Sequence, residues 1–394
     1  MLQASVVLFP AGEGSLLRIL EQKEILSMGT QTTRRGLLKA VGAMLVAAQS
    51  PRIANGAAPA AGRASAAGVR LQPLPTRAFK TRDPGSERTE SWTIWLIVET
   101  STPRDLKIHS ATTQLLSNGK VVRSTHDEGD GAHALSIVPP FSPRLPDGRE
   151  SPTPIVWPLA IRIRSTVAVA AGIDGMRIDL ALLEATKVVR VGLSLPVEYY
   201  EQKTALIFPF RGKGIITNAG VTNGGHRNRS GQFALDCVGL DDSYGVYVPG
   251  GGRKREDYAG WGRAVTAPAA GTVVRARSDR PDQPDPETSD PKYFAPEYPN
   301  GGDPGNHVVI DHGNGEFSML AHFQADSVVA GVGDRVRQGQ ALGKLGSSGD
   351  TVTPHVHYQL QSGADHAWAD GLPCGFSNIE ITPIVRGTFF DAGV

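Results

Sequence analysis

The sequence predicts an all-β protein: an immunoglobulin-like β-sandwich followed by a second domain built on an antiparallel β-sheet. Three observations carry that prediction. The chain holds 46 Gly and 28 Pro and few long amphipathic periods, which favours short strands and many turns over helices. Runs rich in β-branched and aromatic residues, such as Trp92-Thr93-Ile94-Trp95-Leu96-Ile97-Val98, recur with turn signals between them. Late in the chain, His355-Val356-His357 opens an alternating run that continues through Tyr358 and Leu360. A strand there sends both imidazoles to one face and the apolar residues to the other.

At 394 residues the chain exceeds one average domain. Its 40 basic and 39 acidic residues leave a net charge of +1, which gives no support to nucleic-acid binding. Two cysteines, Cys237 and Cys374, exclude a disulfide-scaffold protein.

Residues 1–68 read as an export signal and linker. Thr33-Arg34-Arg35-Gly36-Leu37-Leu38-Lys39 leads into an apolar stretch at 40–48 and then the small residues Ala54-Asn55-Gly56-Ala57. Basic, apolar and small-residue segments in that order make a signal peptide, and the apolar part is too short to span a bilayer. The paired arginines resemble a twin-arginine signal, which implies export to the periplasm or beyond. Met28 precedes the pair and is an alternative start. No Cys follows the apolar stretch, so no lipoprotein anchor is expected, and no stable membrane span. Residues 55–68 are rich in Ala, Gly, Ser and Pro and suit a linker.

Residues 69–205 read as the sandwich, an accessory domain that binds or positions. Asn118-Gly119 between Leu115-Leu116 and Val121-Val122 is a tight-hairpin signal, and short strands at regular spacing suggest the immunoglobulin type. His109 and His126 stand isolated and read as solvated, His126 in a loop.

Residues 206–394 read as the second domain, with strands at 272–274, 308–310, 317–320 and 356–360. A Pro/Asp-rich stretch at 278–303 reads as a surface insertion and candidate lid. Its motifs run in a fixed order. Val265-Thr266-Ala267-Pro268-Ala269-Ala270-Gly271-Thr272-Val273 comes first, then Gly305-Asn306-His307-Val308-Val309-Ile310-Asp311-His312-Gly313. Leu320-Ala321-His322-Phe323, Val332-Gly333-Asp334-Arg335-Val336, Gly346-Ser347-Ser348-Gly349 and Pro354-His355-Val356-His357-Tyr358 follow.

That order resembles the lysostaphin-like (M23 or LytM-type) zinc metallopeptidases, and the fold it implies is their antiparallel β-sheet peptidase domain. The resemblance implies one catalytic Zn2+, which takes three protein ligands and keeps a fourth position for water. Family ligands are a His and an Asp from an early motif and the second His of His-x-His, which map onto Asp236 and His357. In the commonest pattern the first His stands four residues before the Asp, where this chain has Gln232. The nearest preceding histidine is His226, after Gly224-Gly225, and a staphylolytic-type subset places its His that far upstream; the resemblance thus assigns His226. It assigns proton transfer to His322 and His355. The alternation in Gln232-Phe233-Ala234-Leu235-Asp236 puts Asp236 at the end of an apolar strand.

By resemblance the chain is a secreted zinc endopeptidase acting on peptidoglycan cross-links or stem peptides. One alternative is an inactive peptidase-fold activator of a cell-wall amidase. Another is a phosphotransfer carrier similar to the glucose-type IIA proteins, against which the export signal argues. His307 and His312 read as structural or exposed, His366 as a turn residue, and Asp311 and Asp334 as turn residues that bond the backbone. Alternation points Cys237 away from Asp236. A Cys237–Cys374 disulfide is compatible with an oxidising compartment.

Overall fold

In the computed structural model, every regular element among the described residues is a strand or a short 3-10 turn. The described residues are 65–128, 135–137 and 159–393, without 67, 75–76, 84–85, 87, 101–103, 220–225, 227–229, 252–253, 297, 299–301, 368 and 380–383. The export signal expected in the N-terminal segment lies outside them; of the expected linker at 55–68, residues 65, 66 and 68 are described, and Ser65–Ala66 is a short strand paired with Val69–Arg70 rather than linker. No helix among the described residues is long and apolar enough to cross a membrane.

The first half forms two facing antiparallel sheets. One sheet orders Ser65–Ala66, Val69–Leu74, Thr89–Thr100, Leu159–Ala168 and Leu135–Ile137, with Thr81–Arg82 paired to the start of Thr89–Thr100. The other orders Lys187–Glu198, Gly175–Glu184, Lys107–Ser117 and Lys120–Glu128, with the two-residue strand Ala78–Phe79 added in parallel at its Lys187–Glu198 edge. Alternation builds the core: Trp92, Ile94, Leu96 and Val98 point inward from one sheet to meet Ile178, Leu180, Val191 and Leu193 from the other. Longer strands than the sequence suggested make up the sheets, with Thr89–Thr100 and Lys187–Glu198 each reaching 12 residues. Asn118 and Gly119 both take left-handed φ, 50° and 72°, the tight turn that a two-residue hairpin needs. His126 is a correction: it lies in the strand Lys120–Glu128, not a loop, with Nδ1 2.8 Å from Thr112 Oγ1. The hairpin pairing Thr112 opposite His126 puts it there.

The second half is built on one antiparallel sheet in the order Arg335–Val336, Gly271–Arg277, Asn306–Asp311, Phe317–Phe323, Val356–Gln361, Leu235–Gly239, Gly212–Ala219 and Phe389–Ala392. One face is apolar. Val273, Val308, Ile310, Leu320, Val356, Tyr358, Leu360 and Cys237 pack there with Phe208, Phe376 and Phe390. Pairing sets Asn218, Asp236, His357, Ala321 and His307 side by side in one row across the sheet. Cross-strand partners share a face, so this row belongs to the face opposite the core.

Three sequence expectations change. Asp236 is the second residue of its strand rather than the end of one, because Ser230–Phe233 is a 3-10 turn and the strand begins only at Leu235. The stretch at 278–303 is more than a surface insertion. Asp282 and Gln283 are buried; the Asp282 carboxylate accepts from the Ser347 and Ala325 amides, and Gln283 Nε2 donates to the Gly349 carbonyl. Both cysteines are free thiols, Cys237 buried in the core.

The two halves share packing. Phe79, from the sandwich, belongs to the second core, where its ring meets Tyr200 at 5.2 Å and Phe233 at 6.4 Å. Gln232 donates from Nε2 to the Thr93 carbonyl of the sandwich. Buried Glu316 of the second half accepts from the connection at 199–204, from Tyr200 Oη at 2.6 Å and from the Lys203 and Thr204 amides, both at 2.8 Å.

Burial alone would raise the Glu316 carboxyl, but those donors hold it below its ordinary value. A depressed carboxylate stabilises the fold above its unfolded pKa, and that stabilisation is lost as pH falls through the folded value. Glu316→Gln is therefore expected to lower the urea midpoint at neutral pH by the equivalent of about 1–3 kcal/mol. The gap to wild type should shrink as the medium is acidified through the carboxylate range. An equal gap at all pH values would show that the charge contributes nothing.

Candidate metal centre and its histidines

The site is organised by sheet register. Asp236 pairs directly with His357, and Asn218 pairs with Asp236 on the other side. Asn218 Nδ2 donates to Asp236 Oδ2 at 3.2 Å, which leaves Oδ1 to the histidines. Around that one oxygen stand His357 Nδ1 at 3.0 Å, His226 Nε2 at 3.2 Å and His355 Nε2 at 3.4 Å. One ligand atom each from His226, Asp236 and His357 lie within 4.8 Å of one another. The His226 and His357 rings meet edge to face, with centroids 4.5 Å apart. Two imidazoles and a carboxylate form the nitrogen–oxygen donor set of catalytic zinc sites. Burial alone would push the Asp236 carboxyl up, yet the neighbouring His226 and His355 hold it well below the usual carboxylate range. The carboxylate is thus ionised and ready to bind a cation.

Two further imidazoles are held at one nitrogen each. His355 Nδ1 lies 2.7 Å from the Thr353 carbonyl and 3.0 Å from Thr351 Oγ1. A carbonyl only accepts, so Nδ1 carries a proton, and Nε2 is the nitrogen that faces Asp236. His322 Nδ1 donates likewise to the Ser348 carbonyl at 2.7 Å. Ring centroids of His322 and His355 are 4.7 Å apart. Burial, and then the neighbouring His355 and His357, push the His322 imidazole well below its ordinary value. It is neutral near pH 7 and able to accept a proton.

His322 also has a strained backbone, with φ at +64° inside the strand Phe317–Phe323. Such a conformation in a bulky non-glycine residue persists only when its surroundings over-determine it. Here the His322 amide donates to the Pro304 carbonyl, its carbonyl accepts from the Gly346 amide, and its ring is fixed by Ser348. The turn at 346–351 is itself tied to the insertion by Asp282 and Gln283.

All five residues singled out in the sequence, His226, Asp236, His322, His355 and His357, come together. Among the described residues, His307, His312 and His366 do not join them. His307 is tied to the Gly305 carbonyl and pushed down to about 4 by burial; His312 bridges the Ala270 carbonyl and Ser318 Oγ, and His366 meets Tyr298 Oη. Asp311 and Asp334 accept from the Gly313 and Gly331 amides, as turn residues do. Asn218, Thr353 and Gln359 were not singled out in the sequence, and Ser348 stood there only within its motif. Gln359 alone had a signal, since it stands two residues past His357 and shares its face. Gln232, where the commoner pattern has a histidine, turns instead to the sandwich at Thr93.

Residues 255–368 match peptidase family M23. The M23 segment contains His322, His355 and His357; His226 and Asp236 precede it. A peptidoglycan DD-endopeptidase of Vibrio cholerae, ShyC, is 41% identical over 56 residues, 14% of this chain and 12% of that protein. The DD-carboxypeptidase/endopeptidase Mpg of Neisseria meningitidis is 41% identical over 57 residues, 14% of this chain and 13% of that protein. The matched stretch thus spans about an eighth of the length of these relatives. Among solved structures, the catalytic domain of lysostaphin from Staphylococcus simulans aligns at 19% identity with a TM-score of 0.24, covering 41% of this chain and 88% of that one. A zinc-containing peptidase from Vibrio cholerae aligns at 11% identity with a TM-score of 0.26, covering 78% and 86%.

The strain at His322 makes a prediction that needs no activity assay. Both His322→Ala and His322→Gly lose the bond to Ser348, but only glycine relieves the left-handed φ. His322→Gly should be the more stable of the two by about 1 kcal/mol, read from denaturant midpoints. An alanine variant as stable as the glycine one would show that the backbone carries no strain.

Proposed function

We propose that this chain is an exported zinc metallopeptidase that hydrolyses peptide bonds in peptidoglycan cross-links or stem peptides. The observation that carries the reading is the convergence of His226, His357 and His355 on Asp236 Oδ1. Three protein ligands, His226, Asp236 and His357, leave a coordination position open, as hydrolytic zinc sites require. Bound there, zinc supplies Lewis-acid polarisation of a carbonyl and lowers the pKa of water toward neutrality. Peptide hydrolysis also needs a proton taken from the attacking water and one delivered to the leaving amine. His322 and His355 each give their Nδ1 proton to a main-chain carbonyl, so each keeps Nε2 for that exchange. Peptidoglycan as substrate is supported by the names of the relatives that match part of this chain.

The proposal extends to the flanking segments. In the sandwich, Val69–Leu74, Thr89–Thr100, Leu159–Ala168 and Leu135–Ile137 follow the A-B-E-D order of immunoglobulin-type sheets; Lys187–Glu198, Gly175–Glu184 and Lys107–Ser117 follow G-F-C. The Arg34-Arg35 pair supports export by the twin-arginine route.

Purified protein should carry one zinc per chain, and His226→Ala should lose most of it. His322→Ala and His355→Ala should keep the zinc and lose roughly 10²–10⁴-fold in turnover, read by mass spectrometry of digested peptidoglycan. Loss of zinc in His355→Ala would make that residue a ligand. Unchanged turnover in both variants would take the proton-transfer role away from His322 and His355, and no turnover by the wild type would contradict the peptidase reading and favour a binding role. For export, changing Arg34 and Arg35 to Lys should strand the precursor in the cytoplasm, as cell fractionation would show. Normal export would place the chain on the general secretory route.

A further inference from the structure

His357, Gln359 and Gln361 follow one another at alternate positions of the strand Val356–Gln361, and all three are buried. Buried amides cost free energy unless both ends find partners. These two glutamines find them in a single file. His357 Nε2 lies 2.9 Å from Gln359 Oε1, Gln359 Nε2 donates to Gln361 Oε1, and Gln361 Nε2 donates to the Gly363 carbonyl at 2.7 Å.

The file has a direction, and its far end sets it. A main-chain carbonyl only accepts, so Gln361 must turn its NH2 group to Gly363. Its Oε1 then faces Gln359 and can be met only by that residue's NH2. Gln359 Oε1 is left facing His357 Nε2, where only an N–H can meet it. A neutral imidazole carries one N–H, so Nδ1 is left with a lone pair, and Nδ1 is the atom 3.0 Å from Asp236 Oδ1. Reversing the tautomer would require both amides to flip, which sets the Oε1 of the fully buried Gln361 against the Gly363 carbonyl. Polarity chosen by a backbone carbonyl is thus passed along the strand to the imidazole.

Resting on the metal-centre reading above, we propose that Gln359 and Gln361 are positioning residues, an amide relay that fixes His357 as the Nε2–H tautomer. Nδ1 is thereby kept as the nitrogen offered to the metal. Gln359 touches the imidazole and Gln361 acts only through Gln359. The relay also stiffens the ring: His357 is gripped at Nε2 by its own strand while Nδ1 faces the neighbouring one.

The test reads the tautomer directly and uses full-length mature protein. Metal-free protein labelled with 15N-histidine is examined by long-range 1H–15N correlation NMR at mildly alkaline pH, where imidazoles are neutral. Zinc affinity is measured in parallel by competition with a chromophoric chelator. Wild type should show His357 protonated at Nε2. Gln359→Met should lose that preference and bind zinc roughly 10–100-fold more weakly. Gln359→Glu keeps an acceptor for Nε2–H and should restore both the tautomer and most of the affinity. Gln361→Met, which does not touch the ring, should shift the tautomer population in the same direction by a smaller amount; a residue that only fills space would not. Wild-type tautomer and affinity in both methionine variants would overturn the relay while leaving the metal centre standing. No zinc binding by wild type would overturn the metal centre and, with it, the role given to the relay.

Discussion

The site depends on one register: Asp236 in Leu235–Gly239 stands opposite His357 in Val356–Gln361. Side chains in a sheet alternate faces, so a slip of one residue would turn Asp236 and His357 into the apolar core and bring Cys237 and Tyr358 out of it. The apolar partners on the reverse face, among them Cys237, Val356, Tyr358 and Leu360, oppose that slip. The core therefore does more than stabilise the fold. It decides which residues face the site, and it brings a carboxylate and imidazoles together at distances that only a shared cation or proton makes favourable. Asn218, paired on the far side of Asp236, takes the second carboxylate oxygen and leaves the first as the common point.

Around that register, the remaining parts act by immobilising. His322 enters the site on a backbone that a strand does not ordinarily adopt, and it is held there by Pro304, Gly346 and Ser348. The turn that supplies Ser348 is fastened by the buried carboxylate of Asp282 and the amide of Gln283, both from the insertion at 278–303. On the other side, the turn Ser230–Phe233 leads into the Asp236 strand and is tied to the sandwich through Gln232 and Phe233. The first half thus packs against the turn that leads into the strand carrying the carboxylate, and none of its described residues contributes a group to the site.

How far the site was legible in the sequence depends on the range of each interaction. His355 and His357 were readable because period-two alternation is a local rule, and the same rule one step further would have found Gln359. Asp236 and His226 were reached by resemblance, since nothing local says which loop histidine returns to a carboxylate ten residues on. The all-β class followed from composition and turn signals, and Asn118-Gly119 forms the hairpin it suggested. Misreadings came where tertiary partners override local text. The Pro/Asp-rich stretch looked solvated because its buried acceptors, Asp282 and Asp303, serve backbone amides distant in sequence or across a turn. His126 looked like a loop residue because its strand is largely exposed and carries few apolar residues. The φ of His322 leaves no trace in residue type at all.

The most direct test of this account is X-ray absorption spectroscopy at the zinc edge on the metal-loaded protein, together with the same spectrum for Asp236→Asn. The account predicts a first shell of nitrogen and oxygen at about 2.0–2.2 Å that fits two imidazoles, with no sulfur. Replacing Asp236 should alter that shell or abolish loading. A scatterer at about 2.3 Å, as a thiolate from Cys237 would give, or a wild-type spectrum in the Asp236 variant, would contradict it.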